Sequence, residues 1–153
     1  MLRFGFSFSK RGSVMLVKTR QRQVGSTAKA AQVLRDILAV ENEIDQDKEH
    51  FWVIGLDTGQ RIKYVELVTL GVLDSSLVHP REVFRMAISQ GVARLLIGHN
   101  HPSGDVTPSG ADKAVTERLV RAGGVLGIEV LDHIIIGKSG AVTYTSFQAE
   151  RLM

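Results

Sequence analysis

GHNHPSGDVTPSGAD, residues 98–112, decides how this chain is read. Residues 93–97 just before it are a short apolar run, the pattern of a central strand buried on both faces. His99 and His101 stand two apart at the end of that strand, where side chains at i and i+2 point to one side. Pro102 and Pro108 bracket a loop with Gly104 inside it, so the chain can turn back and start a helix beside the histidines. Ser109-x-x-Asp112 resembles a capping box and sets Asp112 in the first turn of that helix, where negative charge is favoured. Two imidazoles and a carboxylate placed this way suit a zinc ion with its fourth position open, as hydrolysis by a metal-activated water requires. Each half has a plainer reading: a surface His-x-His, and a helix cap without chemistry. Ser109 can serve both ends, capping the helix backbone and aiming its hydroxyl at a substrate.

The elements around this stretch follow from periodicity. Ser26 can cap a helix running to Val40, with Ala30, Val33, Leu34, Ile37 and Leu38 on one buried face. Residues 41–49 read as a charged connection. Strands are expected at 50–56 and 61–70, joined by the tight turn Asp57-Thr58-Gly59-Gln60. Pro80 suits the first turn of a second helix to Gln90, with Val83, Phe84, Ala87 and Ile88 inward and Gly91 as its stop. A third helix is expected over 109–121, with Lys113–Glu117 and Glu117–Arg121 pairs on its wet side and Gly123-Gly124 ending it. Residues 128–136 and 141–145 read as a closing hairpin across Lys138-Ser139-Gly140. Residues 1–24 read as an N-terminal extension with a short strand at 14–17, and residues 25–153 as one domain. The fold class is α/β, a mixed β-sheet with flanking helices. Asp105 reads as a turn former beside Gly104. His133, flanked by apolar residues, reads as a satisfied core histidine, with Asp132 or His133 as a helper behind the metal ligands as the alternative. His50 and His79 read as strand-edge and helix-start residues.

Composition bounds the function. The chain has 153 residues, 44% hydrophobic and 23% charged, which suits one domain with a real core. It has no cysteine, which excludes a disulfide framework and a thiolate metal site. No apolar run is long enough for a membrane span, and the first residues carry no cleavage-site pattern, so no membrane partner and a cytoplasmic location are expected. The net charge is +3, and Lys10, Arg11, Lys18, Arg20 and Arg22 crowd the start of the chain. These give weak support for DNA binding, without aromatic residues to stack on bases; a solvated arm is the plainer reading. Phe4, Phe6 and Phe8 could pack on the domain or on a second copy, which leaves the oligomeric state open.

HNHPSGDVTPSGAD, residues 99–112, is similar to the motif of the RadC family of bacterial proteins, part of the JAMM, or MPN-type, metalloprotease superfamily. GVLDSSLVHPREVFRMAI (residues 71–88) and LDHIIIG (131–137) resemble the flanking RadC segments, so the likeness covers about residues 48–148. It implies a JAMM/MPN, cytidine-deaminase-like architecture and one Zn²⁺ per chain held by His99, His101 and Asp112. It further implies a catalytic Glu that takes a proton from the attacking water. Glu49, in KEHFWVIGLD, fits that place; Glu66 in the next strand is the alternative. Ser109 would hydrogen-bond the oxyanion of the tetrahedral intermediate. Asn100 stands where deubiquitinating members usually carry Ser or Thr, which separates the chain from the ubiquitin-directed branch. Longer RadC proteins carry an N-terminal helix-hairpin-helix region, and this chain resembles the short forms without it in full.

Two functions are carried forward. The first is a RadC-like zinc-dependent metalloprotease, hydrolysing an amide bond of a protein or peptide substrate, linked to DNA repair or mobile-element biology. The second is a non-enzymatic, zinc-stabilised interaction module in DNA repair or recombination. A zinc deaminase is disfavoured because its cysteine ligands are missing. A nuclease is disfavoured because no oxygen-rich carboxylate cluster is present for paired Mg²⁺ ions.

Overall fold

A computed structural model describes the backbone of Val14–Met15 and residues 22–153 other than Ser75 and Ser139. Its elements are β1 (Val14–Met15), α1 (Thr27–Val40), α2 (Glu43–Gln46), β2 (His50–Leu56), β3 (Ile62–Leu70), α3 (Pro80–Gln90), β4 (Arg94–Asn100), α4 (Gly110–Leu126), β5 (Glu129–Ile136) and β6 (Tyr144–Ser146). The strands form one mixed sheet in the order β1-β3-β2-β4-β5-β6, in which β4 and β5 are parallel and every other pair is antiparallel.

The alternation of side chains across the sheet creates two cores. Trp52, Ile54, Leu96 and Ile134 face α1, whose Ala30, Val33, Leu34, Ile37 and Leu38 are all buried against them. Phe51, Val53, Leu95 and Ile97 face the other way, onto Val83, Phe84 and Ala87 of α3 and Val115 and Leu119 of α4. Burying one such Leu, Ile, Val or Phe contributes about 1.5–3 kcal/mol, so α1 is held by its apolar face rather than by helix propensity. Gly98 permits the approach of α1: a Cβ there would lie 2.4 Å from a methyl carbon of Leu34.

Several boundaries differ from the sequence reading. The strand before the histidines runs on to Asn100, so His99 lies inside β4 rather than beyond it. The charged connection contains α2, capped by the Asn42 side chain accepting from the Asp45 N–H. Ile88 is 62% exposed, not inward; the turn at Gly91 brings Val92 into the core below Ala87 instead. Helix α4 passes through Gly123-Gly124 and stops at Gly127, which takes the left-handed conformation (φ 71°). Gly123 is a packing glycine, since a Cβ would sit 2.3 Å from the Ile128 carbonyl oxygen. The last strand begins at Tyr144, and its three residues pair with the end of β5. Among the described residues, no helix is long and apolar enough to cross a membrane. Leu16, Val17, the three N-terminal phenylalanines and Lys10, Arg11, Lys18 and Arg20 lie outside the described residues.

Candidate metal centre

Strand β4 and the start of α4 bring His99, His101 and Asp112 together. One ligand atom from each can be chosen so that all lie within 4.8 Å of one another. His99 Nε2 is 3.1 Å from Asp112 Oδ1, His101 Nε2 is 3.2 Å from Asp112 Oδ2, and the two Nε2 atoms are 2.8 Å apart. His99 and Asp112 are buried, while the His101 side chain keeps 13% exposure toward solvent. The capping box is also present: Ser109 Oγ accepts from the Asp112 N–H at 3.0 Å, and Asp112 Oδ2 accepts from the Ser109 N–H at 2.7 Å. Asp112 thus serves both the helix cap and the ligand cluster. Two imidazole nitrogens and a carboxylate, aimed at one point with their other polar atoms already bonded, form a donor set that fits a zinc ion.

The electrostatics follow from this crowding. Burial pushes the Asp112 carboxyl up, but hydrogen bonds from His101 and His99, charge on His99 and the Ser109 N–H outweigh it and hold it well below the usual carboxylate range. The hydrogen bond to Asp112 raises His101, against its own partial burial. Burial drives His133 well below the ordinary imidazole value, and charge on His99 pushes the same way, so His133 stays neutral.

Glu49 and Ser109 line one cleft of about 690 Å³ with His101 and Asp112; Lys48, Gly71, Val72, Leu73, Pro102 and Ser103 complete much of its wall. Glu49 precedes β2. Its Oε2 accepts from the Leu73 N–H at 2.7 Å and its carbonyl from the Gly71 N–H at 2.8 Å, so the loop after β3 fixes both ends of the residue. Its charge is near enough to help raise His101. The Ser109 hydroxyl already accepts from Asp112, which leaves its proton available to a group in the cleft. Glu66 lies elsewhere. It is buried on β3 opposite Val53, with Arg85 of α3 at 3.3 Å, and is not part of the cleft wall.

Other residues of the motif have local work. Asp105 Oδ1 accepts from the Thr107 N–H at 2.9 Å, as a turn former does, and its carbonyl is 2.7 Å from His101 Nδ1. Asn100 points to the α1 side and is fully buried. Its Oδ1 accepts from the His50 N–H at 2.6 Å and its Nδ2 donates to the Lys48 carbonyl at 2.9 Å, so it clamps the two residues that flank Glu49. His50 is the first residue of β2 and is buried, with its ring stacked on Trp52. His79 is the N-cap of α3 and makes no side-chain cap bond. Asp132 braces the C-terminal turn, accepting from the Ser146 hydroxyl and the Gln148 N–H. His133 is a satisfied core histidine, and one of its two partners is His99 Nδ1, at 2.7 Å. Sequence reading did not single out Thr116, whose Oγ1 is 2.5 Å from His133 Nδ1. The only sequence signal for it was its place one helical turn after Asp112.

A sheet of this topology with such a ligand cluster at the end of its central strands defines a class, the JAB-type domain. The family model described as "RadC-like JAB domain" matches residues 23–152, and the chain belongs to that family. It is similar to a UPF0758 protein of Desulforudis audaxviator, 51% identical over 69% of this chain and 45% of the relative. It is also similar to a UPF0758 protein of Syntrophomonas wolfei subsp. wolfei, 41% identical over 87% of this chain and 55% of the relative. A third, from Chlorobaculum parvum, is 53% identical over 61% of this chain and 42% of the relative. The chain spans about half the length of the curated relatives it matches.

Proposed function

We propose that this domain is a zinc-dependent hydrolase of amide bonds, acting on a protein or peptide substrate. The observation that carries the reading is that Glu49 and Ser109 line the same cleft as His101 and Asp112, with His99 directly behind. His99, His101 and Asp112 would hold the ion. Bound zinc supplies a lowered pKa to the attacking water and polarises the scissile carbonyl. Glu49 takes the proton of the attacking water and passes it to the leaving amine as the C–N bond breaks. Its anchoring to Leu73 and Gly71 holds it in place for both transfers. Ser109 stabilises the oxyanion by a hydrogen bond from its hydroxyl. Pro102, Val72 and Leu73 contribute apolar surface to the cleft wall.

The test is Glu49→Gln, assayed on peptide and isopeptide libraries with zinc content measured in parallel. Retained zinc with a loss of about 10²–10⁴-fold in turnover supports the reading. Turnover unchanged in Glu49→Gln overturns the assigned base. A zinc-loaded wild type that cleaves nothing, yet performs a role lost in His99→Ala, supports the interaction module instead.

A further inference from the structure

Behind the ligands, three hydrogen bonds join Asp112 to His99 by a route that avoids the cleft. Thr116 Oγ1 is 2.7 Å from the Asp112 main-chain carbonyl, His133 Nδ1 is 2.5 Å from Thr116 Oγ1, and His99 Nδ1 is 2.7 Å from His133 Nε2. Thr116 and His133 are buried, and the His133 ring stacks on Phe147 and meets Phe51 edge-on. Neither residue touches the cleft.

The direction of this chain is fixed by counting protons. A carbonyl oxygen can only accept, so the single Thr116 hydroxyl proton goes to Asp112. Thr116 Oγ1 must then accept from His133 Nδ1–H. A neutral His133 with its proton on Nδ1 has a bare Nε2, which must accept from His99 Nδ1–H. With its Nδ1 proton held by His133, His99 has only Nε2 left to offer a cation as a lone pair, and that atom is directed at His101 and Asp112. Running the chain backwards would leave two oxygens, Thr116 Oγ1 and the Asp112 carbonyl, 2.7 Å apart with no proton between them. It would also put a proton on His99 Nε2, where a cation needs a lone pair.

We propose that Thr116 and His133 are positioning residues that set the tautomer of His99, through a one-way hydrogen-bond chain that starts at the Asp112 carbonyl. The inference rests on the metal-centre reading above. It makes the α4 backbone, through Thr116, the element that keeps a strand-borne ligand ready for metal. A ligand-orienting partner of this kind usually changes affinity by about 10–100-fold when removed.

The experiment compares Thr116→Val, which keeps the shape and removes the hydroxyl, with Thr116→Ser, which keeps the hydroxyl. Zinc affinity is measured by competition with a chromophoric chelator. The His99 tautomer is read in the metal-free proteins from long-range ¹⁵N–¹H imidazole couplings. The proposal expects His99 protonated on Nδ1 in the wild type and Thr116→Ser, and a shift toward the Nε2–H form in Thr116→Val with a loss of about 10–100-fold in zinc affinity. A wild-type His99 with no proton on Nδ1, or wild-type zinc affinity in Thr116→Val, overturns it. The wild-type tautomer decides the matter even if Thr116→Val does not fold. A wild type that binds zinc but hydrolyses nothing defeats the hydrolase reading and leaves this inference standing.

Discussion

Replacing Asn100 probes how the start of β2, and Glu49 with it, is held. Asn100 has no exposed surface, and its two hydrogen bonds go to the His50 N–H (2.6 Å) and the Lys48 carbonyl (2.9 Å). Asn100→Ala removes both, at about 1 kcal/mol each. The Lys48 carbonyl keeps a partner, His50 Nδ1 at 2.8 Å, so it is not stranded. The His50 N–H is left buried without its acceptor, which costs about 1–3 kcal/mol. Because these costs overlap, the expected destabilisation is about 2–4 kcal/mol. Asn100→Asp keeps the shape and the bond to His50 but turns an oxygen toward the Lys48 carbonyl. In so dry a place the new carboxyl is pushed above its unfolded value of about 3.9. A folded value above the unfolded one makes the variant most stable at low pH and progressively less stable as pH rises through the folded value. Urea unfolding at about pH 4 and pH 7 separates the two variants: Ala is weakened at both, and Asp regains much of its loss at the lower pH. An Ala variant within about 0.5 kcal/mol of wild type would refute the clamp, as would an Asp variant equally weakened at both.

Two further outcomes are expected. Gly98→Ala should drive its Cβ into Leu34 and destabilise by about 1–3 kcal/mol, measured by the urea midpoint; a shift below about 0.5 kcal/mol would mean α1 can retreat freely. Burial raises the Glu66 carboxyl against the pull of Arg85, and its Oε2 has no hydrogen-bond partner among the described residues. Its folded value lies above 4.5, so its contribution is most favourable below that pH and is lost as pH rises through the raised value. Glu66→Gln should therefore flatten the wild-type decline in stability above pH 4.5; an unchanged slope in the unfolding midpoint against pH would contradict the burial argument.

Much of this arrangement was legible because it depends on local periodicity. The α1 stripe, the two strands joined by the turn Asp57–Gln60, the doubly buried β4 and the capped start of α4 all follow from local sequence, and the fold class follows from their order. The ligand cluster was legible for the same reason: i, i+2 on a strand and the first turn of the next helix are local relations. What escaped depends on register between strands distant in sequence. His133 meets His99 because β5 lies parallel to β4 and Leu131 stands opposite no β4 residue, with Leu95 paired to Val130 and Leu96 to Asp132. No periodicity reveals a one-residue bulge, so His133 behind the ligands stood only as the alternative to a plain core histidine, and Thr116 was not singled out. The end of α4 was misplaced because two glycines in a row look like a stop. In fact Gly123 is kept for close packing, and the left-handed turn falls to Gly127.

The central claim is a zinc centre on His99, His101 and Asp112. Its most direct test is elemental analysis of purified wild type and His99→Ala, both folded by circular dichroism and both supplied with zinc. The account predicts about one zinc per chain in the wild type and loss of that zinc in His99→Ala. A folded, zinc-supplemented wild type that holds no metal would contradict it.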